Sequence, residues 1–160
     1  MIRRMLLISA CILVLLNLAD ANELSPAIAD VVTSARQAHE EKLRLLSDSR
    51  ERSDAWGQLG MLYHANQLRL LAMNAYSRAL EEQTTPKWLY LRGIVRGEMG
   101  DIEGSLDDFQ SFLGINPDNS VGWYRLGVAS LLDGDIKAAR TAFENAIDTG
   151  KTSAVILVGL

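Results

Sequence analysis

Glycine recurs at positions 60, 93 and 127, at spacings of 33 and 34 residues. Three more columns keep the same register: Tyr76, Phe109 and Phe143; Ala72, Ser105 and Ala139; Ala79, Phe112 and Ala146. Gly100-Asp101-Ile102 returns 34 residues later as Gly134-Asp135-Ile136. A fixed period of this length marks a repeated supersecondary unit. One such unit cannot bury its own apolar face, so neighbours must stack. Glycine and alanine columns leave room for two helices to approach closely, and the aromatic column fills the space between them. Each large apolar side chain buried this way contributes about 1.5–3 kcal/mol. Gly100 and Gly134 accept positive φ and so end a helix. Asp101 and Asp135 then stand where a carboxylate caps the free N–H groups of the next one. Pro117 cannot continue a helix and closes the second unit.

These columns resemble the signature of the tetratricopeptide repeat. Trp56, Leu59, Gly60, Tyr63, Ala72, Tyr76 and Ala79 match it in the first unit, and Trp123, Leu126, Gly127, Ala139, Phe143 and Ala146 in the third. The second keeps Gly93, Phe109 and Pro117 but has Leu89 for the Trp, Arg92 for the Leu and Phe112 for the Ala. The resemblance covers about residues 53–151, in units 53–85, 86–119 and 120–151. It implies an all-α protein, an α-solenoid of about three antiparallel helix pairs. The helices are expected at 53–66, 69–82, 86–99, 102–114, 120–133 and 136–148.

Residues 1–21 read as a leader rather than fold. Arg3 and Arg4 precede an uncharged apolar run from Met5 to Leu18, and Ala19-Asp20-Ala21 offers small residues for cleavage. This three-part layout is that of a secretory signal peptide, with Asn22 as the expected mature N-terminus. Cys11 lies in mid-run, which argues against lipidation there. Its removal leaves a mature chain without cysteine and with a formal charge of −5. That composition is inert in an oxidising compartment, and the periplasm is the expected location. No stable membrane span is expected after cleavage.

Ser25-Pro26 is a helix start. Ile28, Val31, Val32, Ala35, Ala38, Leu45 and Leu46 approximate one face of a helix over 27–46, expected to cap the array at its N-terminal side. Ser47 to Arg52 reads as a polar linker. At the other end, 154–160 is wholly apolar, so 152–160 is expected to open a further helix or to form an apolar tail available for association.

Catalytic and metal-binding patterns are missing from the sequence. His39 and His64 have no second ligand at helical spacing. No nucleophile elbow surrounds any Ser, and Gly93, Gly97 and Gly100 lack the Lys-Ser/Thr of a phosphate loop. Asp101, Glu103, Asp107 and Asp108 read as a solvated acidic face. The expectation is a non-enzyme without cofactor or metal. The acidic balance and the export signal oppose nucleic acid as a partner.

By repeat position, the resemblance implies a groove lined by Met61, His64, Lys87, Tyr90, Leu91, Ile94, Tyr124, Arg125 and Val128. Some family members grip a peptide's terminal carboxylate with Lys, Asn and Arg at set columns. The corresponding residues here are Gly57, Met61, Leu91, Val121 and Arg125, and only Arg125 fits, so that clamp is not expected. An apolar, aromatic groove suits a protein or peptide partner. The expected role is a periplasmic interaction module that scaffolds or assists assembly of an envelope complex. The rival is the N-terminal repeat region of a larger secreted enzyme or maturation system for glycans or cytochromes.

Overall fold

The computed structural model describes residues 26–158. The leader, its cleavage site, Ser25 and the last two residues lie outside the described residues. Seven helices follow in order: α1 (Pro26–Leu45), α2 (Ser49–Ala65), α3 (Arg69–Glu82), α4 (Pro86–Glu98), α5 (Ile102–Ile115), α6 (Ser120–Asp133) and α7 (Ile136–Val158). The described residues contain no strand. The chain divides into two compact units, the first ending at Arg44 and the second beginning at Leu45. Within the second unit the helices pair as α2–α3, α4–α5 and α6–α7, and α3 and α5 each pack on the helix that follows.

Each pair closes on the glycine column. A Cβ added at Gly60 would stand 2.6 Å from the Tyr76 ring, at Gly93 3.0 Å from Phe109, and at Gly127 2.6 Å from Phe143. Any side chain there would collide with the aromatic column of the partner helix. The Ala and Ser column behind it is buried too, and Ser105 satisfies its hydroxyl by donating to the Gly93 carbonyl at 2.8 Å.

The corners follow from local chemistry. Gly100 and Gly134 have φ of +82° and +87°. Asp101 Oδ1 accepts from the Gly104 N–H at 3.0 Å, and Asp135 Oδ1 from the Ala138 N–H at 2.9 Å. Gln67 occupies the same repeat column and also takes positive φ, +63°. The first corner thus adopts the left-handed geometry without glycine, so this column carries no glycine signal in the first unit although its conformation is the same.

Two boundaries differ from the sequence expectation. Residues 47–52 were expected to form a linker, but α2 begins at Ser49. The cause is Asp48, whose Oδ1 accepts from the N–H groups of Arg50 and Glu51 at 2.9 and 3.0 Å and so starts the helix four residues before 53. At the other end, α7 does not stop near residue 148 but runs on to Val158. Gly150 is isolated and no proline follows it, and Thr149 Oγ1 donates back to the Asn145 carbonyl at 2.7 Å. Residues 152–158 therefore continue α7 instead of opening a separate helix.

Consecutive pairs meet through joints of large against small. Trp88 of α4 is 1% exposed, and its ring fills the space where a Gly57 side chain would be. It stacks on Tyr76 at 6.0 Å between ring centroids. At the next joint the sense is reversed: Phe112 of α5 presses on Gly122 of α6, where a Cβ would stand 2.5 Å away. Leu89, Leu113, Tyr90, Trp123 and Leu126 complete that core.

Tyr76 is fully buried, and its hydroxyl has no hydrogen-bond partner among the described residues. Burial pushes its pKa up to about 12. The unfolded chain releases that proton near pH 10, so folding holds a proton the unfolded state gives up. Stability from this group is complete below pH 10 and is lost as pH rises through about 12. Tyr76→Phe is expected to remove this part of the alkaline decline. At neutral pH it should gain about 1 kcal/mol by deleting a buried, unpaired hydroxyl. Urea unfolding followed by circular dichroism at pH 7 and pH 11 checks both signs.

Candidate functional site

The second unit of the array departs from its neighbours by a buried ion network. Asp108 is 2% exposed. Its Oδ1 accepts from Arg92 Nη2 at 2.7 Å, and its Oδ2 from Arg92 Nε at 2.9 Å and Arg96 Nη1 at 3.1 Å. Arg92 also donates to Ser77 Oγ at 3.2 Å, and Arg96 to the Gly104 carbonyl at 3.0 Å. This corrects the expectation of a solvated acidic face. Asp101, Glu103 and Asp107 are exposed, but Asp108 points inward as the shared counter-charge of two arginines. The arginines stand where the first unit has Leu59 and Tyr63, and Asp108 where it has Ala75. Three columns that are apolar core in the first unit are charged in the second.

The two helices joined by this network also wall a hollow. Gly93, Ile94, Gly97 and Glu98 of α4, Ile102, Ser105 and Phe109 of α5, and Arg125, Val128, Ala129 and Leu132 of α6 line an open hollow of about 220 Å³. That is far more than one water requires. The space exists because the floor is built from small residues. A Cβ on Gly97 would already stand 3.2 Å from Ser105 Oγ.

The structure brings three of the nine expected groove residues, Ile94, Arg125 and Val128, into this hollow. His64 reaches its rim through Glu98, with Nε2 3.4 Å from the carboxylate, and Arg69 Nε donates to the same group at 2.9 Å. Burial acts to raise the Glu98 pKa, but the hydrogen bonds from Arg69 and His64 outweigh it and the net shift is downward. Tyr90 packs inward on Phe109 and Phe112, with centroids at 5.9 and 5.3 Å. Lys87 Nζ lies 4.4 Å over the Trp88 ring, and Met61 is exposed on α2. Leu91 is half-buried and does not line the hollow. Glu98, Gly97 and Leu132 line it but were missed, since neither charge nor smallness at these positions carries a periodic signal.

Tyr124 belongs to a second hollow, with Ser120, Val121, Phe143, Ala146 and Ile147. Its ring lies 5.9 Å from Phe143. These are the repeat equivalents of Tyr90, Phe109, Phe112 and Leu113, which α6 covers. Here Tyr124 and Ile147 remain 52% and 55% exposed.

No group of three His, Cys, Asp or Glu among the described residues is placed to hold a metal ion. None of the described helices is long and apolar enough to cross a membrane.

The three stacked helix hairpins α2–α3, α4–α5 and α6–α7 form a helical solenoid with the fold of tetratricopeptide-repeat structures. Its fold is similar to a crystal structure of MamA, with TM-score 0.67 and 20% identity over 74% of this chain and 68% of that one. A further MamA structure gives 0.64 and 21% over 75% and 66%. The Sgt2 TPR domain from Aspergillus fumigatus gives 0.58 and 27% over 62% and 66%. The chain thus spans about two thirds of each of these structures. No family model matches the sequence.

Proposed function

We infer that this protein is a non-enzymatic interaction module that holds a protein or peptide segment in the groove between its second and third helix pairs. The observation that carries this is the hollow at Ile94, Phe109, Val128 and Leu132, an apolar recess walled by three helices and rimmed by charge. Ligand sites of this make-up are concave, mostly apolar and largely pre-formed. The TPR architecture supports a protein rather than a small molecule as the occupant.

The leader supports export to the periplasm, where the module would scaffold or assist assembly of an envelope complex. Two measurements test the reading. A photo-crosslinking residue at Leu132 should capture a discrete protein partner in living cells, and the same residue at Gln110, exposed on α5 outside the hollow, should not. Equal capture at both positions would remove the groove assignment. Cell fractionation with N-terminal mass spectrometry should find the chain in the periplasm, starting at Asn22. Retention of Met1 in the cytoplasm would overturn the export.

The second hollow supports another reading, that these repeats lead into a further segment of a larger secreted enzyme or maturation system. Mass spectrometry of the natural polypeptide distinguishes the two: peptides from beyond Leu160 are expected only for the larger protein.

A further inference from the structure

Arg125 stands apart from the other half-buried arginines of the array. Arg52, Arg69, Arg92 and Arg96 all meet a carboxylate. Arg125 is half-buried at the apolar hollow, and its Nε is buried with no hydrogen-bond partner among the described residues. Glu98 lines the same hollow, but its carboxylate is held by Arg69 and His64. Arg125 is therefore the one charged residue lining this recess that makes no ion pair among the described residues. An ionised group in apolar surroundings is costly until it is paired and hydrogen-bonded, and a carboxylate is the acceptor whose planar geometry a guanidinium matches.

The geometry points to a ligand of defined pattern: a segment with one large apolar side chain seated in the hollow and an aspartate or glutamate a few residues away, paired with Arg125. The inference rests on the groove reading above and names what the groove selects. The apolar anchor would lie against Ile94, Phe109 and Val128, and the acidic side chain at the α6 wall. An internal acidic residue is favoured over a chain terminus. A terminal carboxylate needs several donors converging on it, whereas this recess offers one guanidinium and carries the Glu98 carboxylate on its other side.

The test is an array of random dodecamer peptides, each made with an amidated and with a free C-terminus, probed with the protein purified as cells make it. Retained peptides should carry Leu, Ile, Met or Phe within three positions of Asp or Glu. Arg125→Gln should weaken these peptides about tenfold, the size of one charge-assisted contact. It should also abolish the preference for Asp or Glu over Asn or Gln while leaving the apolar requirement. Arg125→Lys should retain part of that preference. Val128→Trp fills the hollow and should remove binding of every peptide, with helical circular dichroism unchanged in all variants. Binding that Val128→Trp abolishes but that shows no acidic preference would overturn this inference and leave the groove intact. Binding indifferent to Val128→Trp, or no peptide retained, would overturn both. Retention only of peptides with a free C-terminus would replace it with terminal capture.

Discussion

Asp108→Leu is expected to destabilise the fold by about 3–5 kcal/mol, the cost of leaving buried charge without its partner. Two arginines converge on this one carboxylate at 2.7 to 3.1 Å, and both are largely shielded from water. Asp108→Asn keeps the shape and should cost less, because the amide still accepts one hydrogen bond. The informative variant is the triple change Arg92→Leu, Arg96→Tyr and Asp108→Ala. It gives the second unit the residue types that the first has at Leu59, Tyr63 and Ala75. Well-packed apolar substitutes for buried ion networks are often neutral or stabilising. The triple variant is therefore expected to recover parental stability or exceed it, despite containing a change at the same aspartate. Thermal and urea unfolding of the four proteins checks the order. A triple variant less stable than Asp108→Leu would show that the network does more than substitute for apolar packing.

Gly127→Leu is expected to cost at least about 3 kcal/mol, at or beyond the upper end of ordinary overpacking. The Cβ alone would stand 2.6 Å from Phe143 Cε1, and the remaining leucine atoms have nowhere to go unless α6 and α7 separate. Phe143→Ala in the same chain should recover part of the loss, a coupling that a double-mutant cycle measures. Gly114 supplies the control. It lies in α5 with nothing within 4 Å of an added Cβ. Gly114→Ala should therefore be neutral or gain up to about 1 kcal/mol from helix propensity. If both glycines respond alike, the close approach of paired helices is wrong.

The repeat columns made the helices and their pairing legible, because close approach demands the same small residue in every unit. Gly60, Gly93 and Gly127 meet the aromatic column as their spacing implied. The acidic cap residues and left-handed corners were legible for the same reason, each being a local device with few chemical solutions. The Asp108 network was not. Asp107 and Asp108 are alike in sequence, and only their positions around α5 separate an exposed carboxylate from a buried one. Arg92 and Arg96 showed as departures from the pattern, but what they paired with depends on a helix ten or more residues away. The hollow was legible only in part. Ile94, Arg125 and Val128 followed from repeat position, whereas Tyr90 and Tyr124 occupy one column and have different fates because α6 covers the first and itself carries the second.

The joints between pairs carry an ordering rule. Trp88 requires the bare backbone of Gly57, and Phe112 that of Gly122, so bulk sits on the later helix at one junction and on the earlier helix at the next. Both bulky residues belong to the middle hairpin, so joining the first hairpin directly to the third would set Gly57 against Gly122, void against void. The sequence of hairpins is thereby keyed, and a shuffled chain could keep every internal hairpin intact yet fail to assemble.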